Sequence, residues 1–393
     1  MTTVIDRGTD GPRTHALVIG VGLYPHCRND IHDGPDAALA RQFTTLTAPP
    51  LSALEVTRWL LAEQLDEETA PLGSIELLVS GNADQTVTTP DGTVTVDSPT
   101  YPAVEAAFDR WRSRCDANEG NVAFFFFSGH GCAKGKQYLP LEDVGRRPGS
   151  FFSDAIELDS LVHGMGRNRA SVQTYFIDAC RMVPAELLDK YEINARSLLD
   201  SHLVTARRDA PVVYSTVSGE VARAVEGRPS PFTEAMLQAL SGSAAAQPNG
   251  RWEVTTDRLV SAINRIRAWH GDPEQLTEYG LGTQVTGRTI RRLKGMPQVP
   301  FRLGCNPREA LLEAQLSLLV PFSDQVAFER RPEPRVWEGS TDAQVYGFRA
   351  AFGPGRYVDS TKAFPLWPPN YECDLDVLPH HDDAGGLGSD ANG

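Results

Sequence analysis

Up to about residue 290, apolar residues come in short unbroken runs separated by stripes of helical spacing. The runs are HALVIGVG (15–22), SIELLVS (74–80), NVAFFFFSGHG (121–131), QTYFIDA (173–179) and PVVYST (211–216). Short apolar runs bounded by turn residues suit strands buried on both faces, as in a parallel sheet. Between them, residues 49–65 carry Leu54, Val56, Leu60, Leu61 and Leu65 as a broad stripe. Pro102 stands just inside a helix start, followed by Val104, Ala107, Phe108 and Trp111 on one face. Ser230-Pro231 opens a helix with Phe232, Met236, Ala239 and Leu240 inward. Thr256-Asp257 opens another, with Leu259, Ala262, Ile263 and Ile266 inward. Residues 81–99 read as a surface loop or small hairpin, and 181–210 as a polar surface loop or short helix.

Strands alternating with helices predict an α/β fold, a mainly parallel sheet covered on both faces. The pattern then changes. Leu312, Ala314, Leu316, Leu318 and Val320 alternate, as do Tyr371, Cys373, Leu375 and Val377, between turns rich in Pro and Gly. Period-2 alternation predicts a small C-terminal antiparallel β-sandwich. The expected organisation is an N-terminal tail over 1–12, an α/β domain over 13–295, the sandwich over 300–378 and a disordered acidic, Gly-rich tail over 379–393.

Composition narrows the functions. At 393 residues, 41% hydrophobic and 22% charged, the chain can bury a sizeable core. A net charge of -14 without a basic patch argues against nucleic acid as a partner. No apolar run approaches a membrane span, and the start shows no secretory pattern. The six cysteines are scattered without a Cys-x-x-Cys pair. A cytoplasmic chain with reduced thiols is the expectation.

The chemistry gathers at two strand ends. His130 follows VAFFFFSG and Cys180 follows QTYFIDA, 50 residues later. In a parallel sheet these ends lie on the same side, where α/β proteins bind ligands. A cysteine attacks as its thiolate, and a histidine beside it supplies the base. Gly131 and Cys180 offer backbone N–H groups to an oxyanion. Taken singly, each would read as a buried thiol or a loop histidine; the pair at matched strand ends favours catalysis. No GxxxxGK[ST] or GxGxxG motif opens a helix, against a nucleotide-binding enzyme. Cys132, and the cluster His26, Cys27 and His32, lack the paired spacing of a zinc site, and no metal or cofactor is expected.

ALVIG, FFFFSGHG, YLPLEDV, FIDACR and SPFTEAMLQAL appear in the order seen in prokaryotic caspase-like cysteine peptidases, and over residues 13–290 the chain resembles that metacaspase- and orthocaspase-related branch. The caspase spacing from histidine to cysteine is about 50 residues. The resemblance implies a caspase-like, mostly parallel six-stranded sheet flanked by helices, of which five strands are legible here. It makes His130 the general base and Cys180 the nucleophile of a cysteine endopeptidase acting through a thioester. Asp178, two residues before Cys180 and on its side of the strand, then lines an S1 pocket for arginine or lysine, so the expected partners are protein substrates with a basic P1. Metacaspases carry a second pocket aspartate after the first strand. Here Ser52 stands where it would fall, and Asp30, Asp33 and Asp36 remain open as the second carboxylate.

The same resemblance puts a processing segment at 181–210, with Arg196, Arg207 and Arg208 as cleavage positions for the enzyme itself or an upstream activating protease. It also suggests calcium activation, for which Glu142, Asp143, Asp154 and Glu157 are oxygen donors without a recognisable loop, and a role in bacterial stress or antiphage defence. The competing reading is a non-catalytic caspase-like adaptor, which loss of the dyad would mark; both members are present.

Overall fold

The computed structural model describes residues 2–27, 36–80, 86–147, 149–180, 193–199, 209–216, 227–280 and 284–380. The chain divides into two compact units, Met1–Gly295 and Met296–Gly393.

The first unit is built on one seven-stranded sheet. Its strands are β1 (Thr3–Asp6), β2 (Thr14–Gly20), β3 (Leu72–Val79), β4 (Val122–Gly129), β5 (Val172–Ala179), β6 (Val212–Tyr214) and β7 (Glu278–Tyr279). The spatial order is β1-β3-β2-β4-β5-β6-β7. The five central strands are parallel, and β1 and β7 close the edges antiparallel. From β2 the chain turns one way to β3 and then returns to the other side for β4. That reversal makes a switch point at the carboxyl ends of β2 and β4, where α/β sheets open a crevice.

Among the described residues five helices of two turns or more cover the sheet: α1 (Ala48–Trp59), α2 (Tyr101–Cys115), α3 (Leu158–Met165), α4 (Pro231–Gln238) and α5 (Leu259–Trp269). Strand alternation divides the core between the two faces. Phe125, Phe127, Tyr175 and Ile177 pack with Val104, Phe108 and Trp111 of α2 and Leu161 of α3. Phe124, Phe126 and Phe176 pack with Val56 of α1, Met236 of α4 and Ile263 of α5. All four phenylalanines of the FFFF run are therefore buried, each contributing on the order of 1.5–3 kcal/mol. A strand covered on both faces needs no polar side, which is why VAFFFF shows no alternation.

Among the described residues the sheet has seven strands where six are expected. Both unforeseen edge strands are short, and β1 lies in the segment expected to be a tail. The four residues TVID carry too little apolar pattern to mark a strand. What holds β1 is tertiary. Glu76 of β3, with its side chain fully buried, accepts hydrogen bonds from the hydroxyls of Thr2 (2.8 Å) and Thr3 (2.7 Å). It pairs with Arg110 (2.9 Å) and Arg114 (2.6 Å) of α2, and Arg114 also reaches Asp6 at 2.8 Å. Residues 86–95 form the small hairpin, with strands Thr86–Thr89 and Gly92–Thr95.

The second unit packs a three-stranded and a four-stranded sheet. Gln298–Asn306 lies between Trp337–Asp342 and Tyr371–Asp376. The other sheet runs Val326–Arg330, Gln315–Leu319, Gln344–Ala351, Ser360–Leu366. Alternate residues such as Val299, Phe301, Leu303 and Leu316, Leu318 are buried. One pairing departs from the antiparallel expectation: Gln298–Asn306 and Tyr371–Asp376 are parallel. Leu312, counted in the alternating run, falls in a 3-10 turn and is 60% exposed. Of the expected tail, residues 381–393 lie outside the described residues.

Candidate active site

β4 and β5 pair in parallel from Val122↔Val172 to Gly129↔Ala179. His130 and Cys180 are the next residues of each strand, so two adjacent strand ends carry them at the same level of the sheet. Gly131 closes the gap between the two strand ends. A Cβ built there would fall 2.4 Å from the Cys180 carbonyl oxygen and 2.9 Å from Gln137 Nε2. Only a residue without a side chain lets this backbone lie against that of Cys180.

His130 is seated between two rings. Tyr24 lies 5.0 Å from it, centroid to centroid, and Phe43 meets it edge-on at 5.5 Å. Its backbone N–H donates to the Tyr24 hydroxyl at 2.9 Å. Its Nε2 lies 2.9 Å from the Thr44 carbonyl oxygen. A carbonyl only accepts, so Nε2 carries the proton and Nδ1 keeps the lone pair. Burial lowers the His130 pKa from its ordinary value, partly opposed by the Thr44 bond. The ring is thus held neutral, with one nitrogen ready to take a proton. Burial pushes the Tyr24 phenol far up, so its hydroxyl stays protonated. Cys180 is half-buried and close enough to Tyr24 to act on it electrostatically.

Asp178 is buried, 5% exposed, and three hydroxyls converge on its Oδ2: Ser128 at 3.2 Å, Ser230 at 2.5 Å and Thr233 at 3.0 Å. Ser128 is its in-register partner on β4. Burial raises the Asp178 pKa, against the pull of Ser230, Thr233, Ser128 and the charge of Arg267. On the other side, β6 runs in register to Ile177↔Tyr214, so Ser215 stands next to Asp178 in the sheet. The hydroxyls of Ser215 and Thr216 are buried and unbonded among the described residues. Ser52 is fully buried in α1 and accepts from the Ser230 backbone N–H at 3.0 Å. It thus touches the Asp178 cluster as a hydroxyl where the resemblance would place a carboxylate.

Of the other expected carboxylates, Asp30 and Asp33 lie outside the described residues. Asp36 precedes the single helical turn Ala37–Ala40 and is not among the partners of Asp178. Arg207 and Arg208 also lie outside the described residues. Arg196 is held: its guanidinium bonds Asp154 at 2.5 Å and sits 3.6 Å over the Tyr101 ring. A protease acting there would first have to release it. The four acidic residues considered for calcium are engaged as well. Glu142 accepts from Ser80, Asp143 from the N–H that opens α2, and Glu157 from Lys136 and Ser160. Among the described residues no group of three or more His, Cys, Asp and Glu is placed to hold a metal ion. Cys132 and Cys27 are buried thiols, each pushed up to about 12 by burial, and such thiols are inert.

Nothing in the sequence pointed to the Thr44 carbonyl, to Tyr24, or to Ser230 and Thr233 as partners of the site. Thr44 lies in an irregular stretch with no motif, and a backbone carbonyl is invisible to residue type. SPFT was legible as a helix start and as part of the resembling segment SPFTEAMLQAL, but not as a partner of Asp178.

The chain belongs to the caspase family: residues 13–296 match the Caspase domain. It is 30% identical over 211 residues to the uncharacterized protein y4kE of Sinorhizobium fredii, covering 52% of this chain and 60% of that one. It is 26% identical over 297 residues to a protein of a Desulfuromonadales bacterium named as a probable protease, covering 67% of this chain and 32% of the relative. The chain thus spans less than two thirds of either relative. Among solved structures, pro-Sf-caspase-1 aligns over 73% of this chain and 92% of its own at 11% identity and TM-score 0.36. Caspase-1 from Spodoptera frugiperda does so over 73% and 93% at 12% and 0.39.

Proposed function

We propose that the protein is a cysteine endopeptidase that cleaves after arginine or lysine. One observation supports the reading above all: β4 pairs in parallel with β5 up to Gly129↔Ala179, and His130 and Cys180 follow directly on those two strand ends. Nδ1 of His130 takes the Cys180 thiol proton. The sulfur adds to the scissile carbonyl, whose oxygen is met by the N–H groups of Gly131 and Cys180. The C–N bond breaks as the imidazolium returns its proton to the leaving amine, leaving a thioester. Water, deprotonated by the same imidazole, adds to the thioester carbonyl. The acid product leaves and the thiol is restored.

Asp178 supports the basic specificity. It is a buried carboxylate two residues from the nucleophile, without an ion-pair partner among the described residues, and a cationic P1 side chain would complete it. Protein substrates in the cytoplasm, release from restraint by cleavage in the 181–210 segment, and service in a bacterial stress or antiphage response complete the proposal. The last of these rests on the resemblance alone.

The deciding test is hydrolysis of an Arg-P1 fluorogenic peptide. Cys180→Ala and His130→Ala each lose at least about a thousandfold in kcat/KM if the two act as one unit. A Cys180→Ala protein that keeps its turnover would overturn the assignment, and an inert wild type that still binds peptides would favour the adaptor.

A further inference from the structure

We propose that Ser230 and Thr233 are positioning residues for Asp178, gripping the carboxylate by Oδ2 so that Oδ1 is the oxygen offered to the P1 cation. This deepens the S1 reading of Asp178 and rests on it. The geometry is one-sided. All three hydroxyl contacts fall on Oδ2, and Oδ1 has no hydrogen-bond partner among the described residues.

The grip is itself fixed. Ser230 is the N-cap of α4, with extended backbone (φ -65°, ψ 151°), and its Oγ accepts from the Thr233 backbone N–H at 3.0 Å. Its own N–H is tied to Ser52 Oγ at 3.0 Å. An N-cap hydroxyl that accepts from the helix has its single proton left to give outward, here to Asp178. Thr233 stands one turn further along the same helix end, and its hydroxyl gives the second bond. The positive end of α4 faces the same oxygen. Serine and threonine at N-cap and third position thus do two things: they start the helix and orient a carboxylate on the neighbouring strand.

The grip also sets the charge. From β4 Asp178 faces Ser128, from α4 Ser230 and Thr233, and from α5 the guanidinium of Arg267, which is itself paired with Asp272 at 2.8 Å. The β6 neighbour, Ser215, is uncharged. Burial favours the protonated acid, and the donors favour the ion. Each donor removed lets Asp178 hold its proton to a higher pH, where it no longer attracts a cation.

The experiment compares the full-length wild type with Asp178→Asn, Ser230→Ala, Thr233→Val and Thr233→Ser on an Arg-P1 peptide across pH. Ser230→Ala and Thr233→Val are expected to raise KM about tenfold, the weight of one hydrogen bond to a charged group. They should leave kcat within about twofold and move the acid limb of kcat/KM to higher pH. Thr233→Ser, which keeps the hydroxyl, restores both. If Asp178→Asn loses the substrate while both donor variants keep the wild-type KM and limb, the positioning role is overturned and the S1 reading stands. If Asp178→Asn is as active as wild type, both fall. A drop in kcat at unchanged KM overturns the proposal as well. Should loss of the cap unfold Ser230→Ala, the near-isosteric Thr233→Val with its Thr233→Ser control decides, with thermal melts confirming the fold.

Discussion

At the scale of single residues, the site depends on groups whose burial and bonding fix their protons. His130 has its pKa lowered from 6.5 by burial. Its folded form resists protonation, so stability from this group is present above the ordinary value and falls as pH drops below it. The same shift keeps the base competent in mild acid. The acid limb of kcat, read with the P1 cation already on Asp178, should therefore lie below pH 6.5; a limb well above it would mean that a Cys180 thiolate pairs with the imidazolium instead. Asp178 has the opposite sign. Its pKa is raised from 3.8, so its favourable contribution is present below that value and is lost as pH rises through the folded pKa. Once ionised, the buried carboxylate is held at a cost. Asp178→Asn should therefore melt no lower than wild type at pH 8 in calorimetry, while Arg-P1 hydrolysis collapses. A large fall in Tm would show instead that the carboxylate is there to hold the fold. Gly131 tolerates no Cβ beside the Cys180 carbonyl, which makes its backbone contact, rather than its side of the strand, the important property.

At the scale of elements, β4 and β5 were legible because a strand covered by helices on both faces must be apolar throughout. β1 was not legible, because the side chain that fastens it lies 73 residues away. Burial pushes the Glu76 carboxyl up, but Arg110, Thr3, Arg114 and Thr2 together outweigh it and hold it below the ordinary 4.5. A lowered acid contributes stability that is present above its unfolded value and is lost as pH falls through the folded one. Glu76→Ala takes the buried carboxylate away from two arginines, of which Arg114 keeps Asp6 and Arg110 is 41% exposed to water. With solvent screening it should cost about 1–3 kcal/mol in urea denaturation at pH 7, with the difference from wild type shrinking toward pH 3. An unchanged midpoint at pH 7 would mean that β1 does not depend on this cluster. The helices followed the same logic. Val104, Phe108 and Trp111 predicted the buried face of α2, whereas nothing along α4 told which strand its N-cap would meet.

At the scale of the whole molecule, the two units each have a core of their own. The first is centred on the phenylalanines of β4, the second on Phe301, Leu316 and Phe348. A chain ending at Gly295 should thus melt cooperatively and hydrolyse the Arg-P1 peptide. Aggregation of that fragment, measured by size-exclusion chromatography, would show that the second unit is needed to complete the first. The change of hydrophobic period near residue 290 announced this division in kind, from strand-and-helix to alternating strands. It did not announce the parallel pairing of Gln298–Asn306 with Tyr371–Asp376, since alternation reports which side of a strand is buried and not which way its neighbour runs.

By itself the sequence determined the α/β class, the two strand ends bearing His130 and Cys180, and Asp178 on the same strand as Cys180. Burial period and residue chemistry are local properties that can be read along a chain. Only the tertiary structure decided that β4 and β5 are neighbours in register. It alone brought the Thr44 carbonyl to Nε2 of His130, and three hydroxyls from distant segments onto one oxygen of Asp178. Those contacts join residues 50 to 86 positions apart. They arise from the packing of whole elements, to which no local pattern refers.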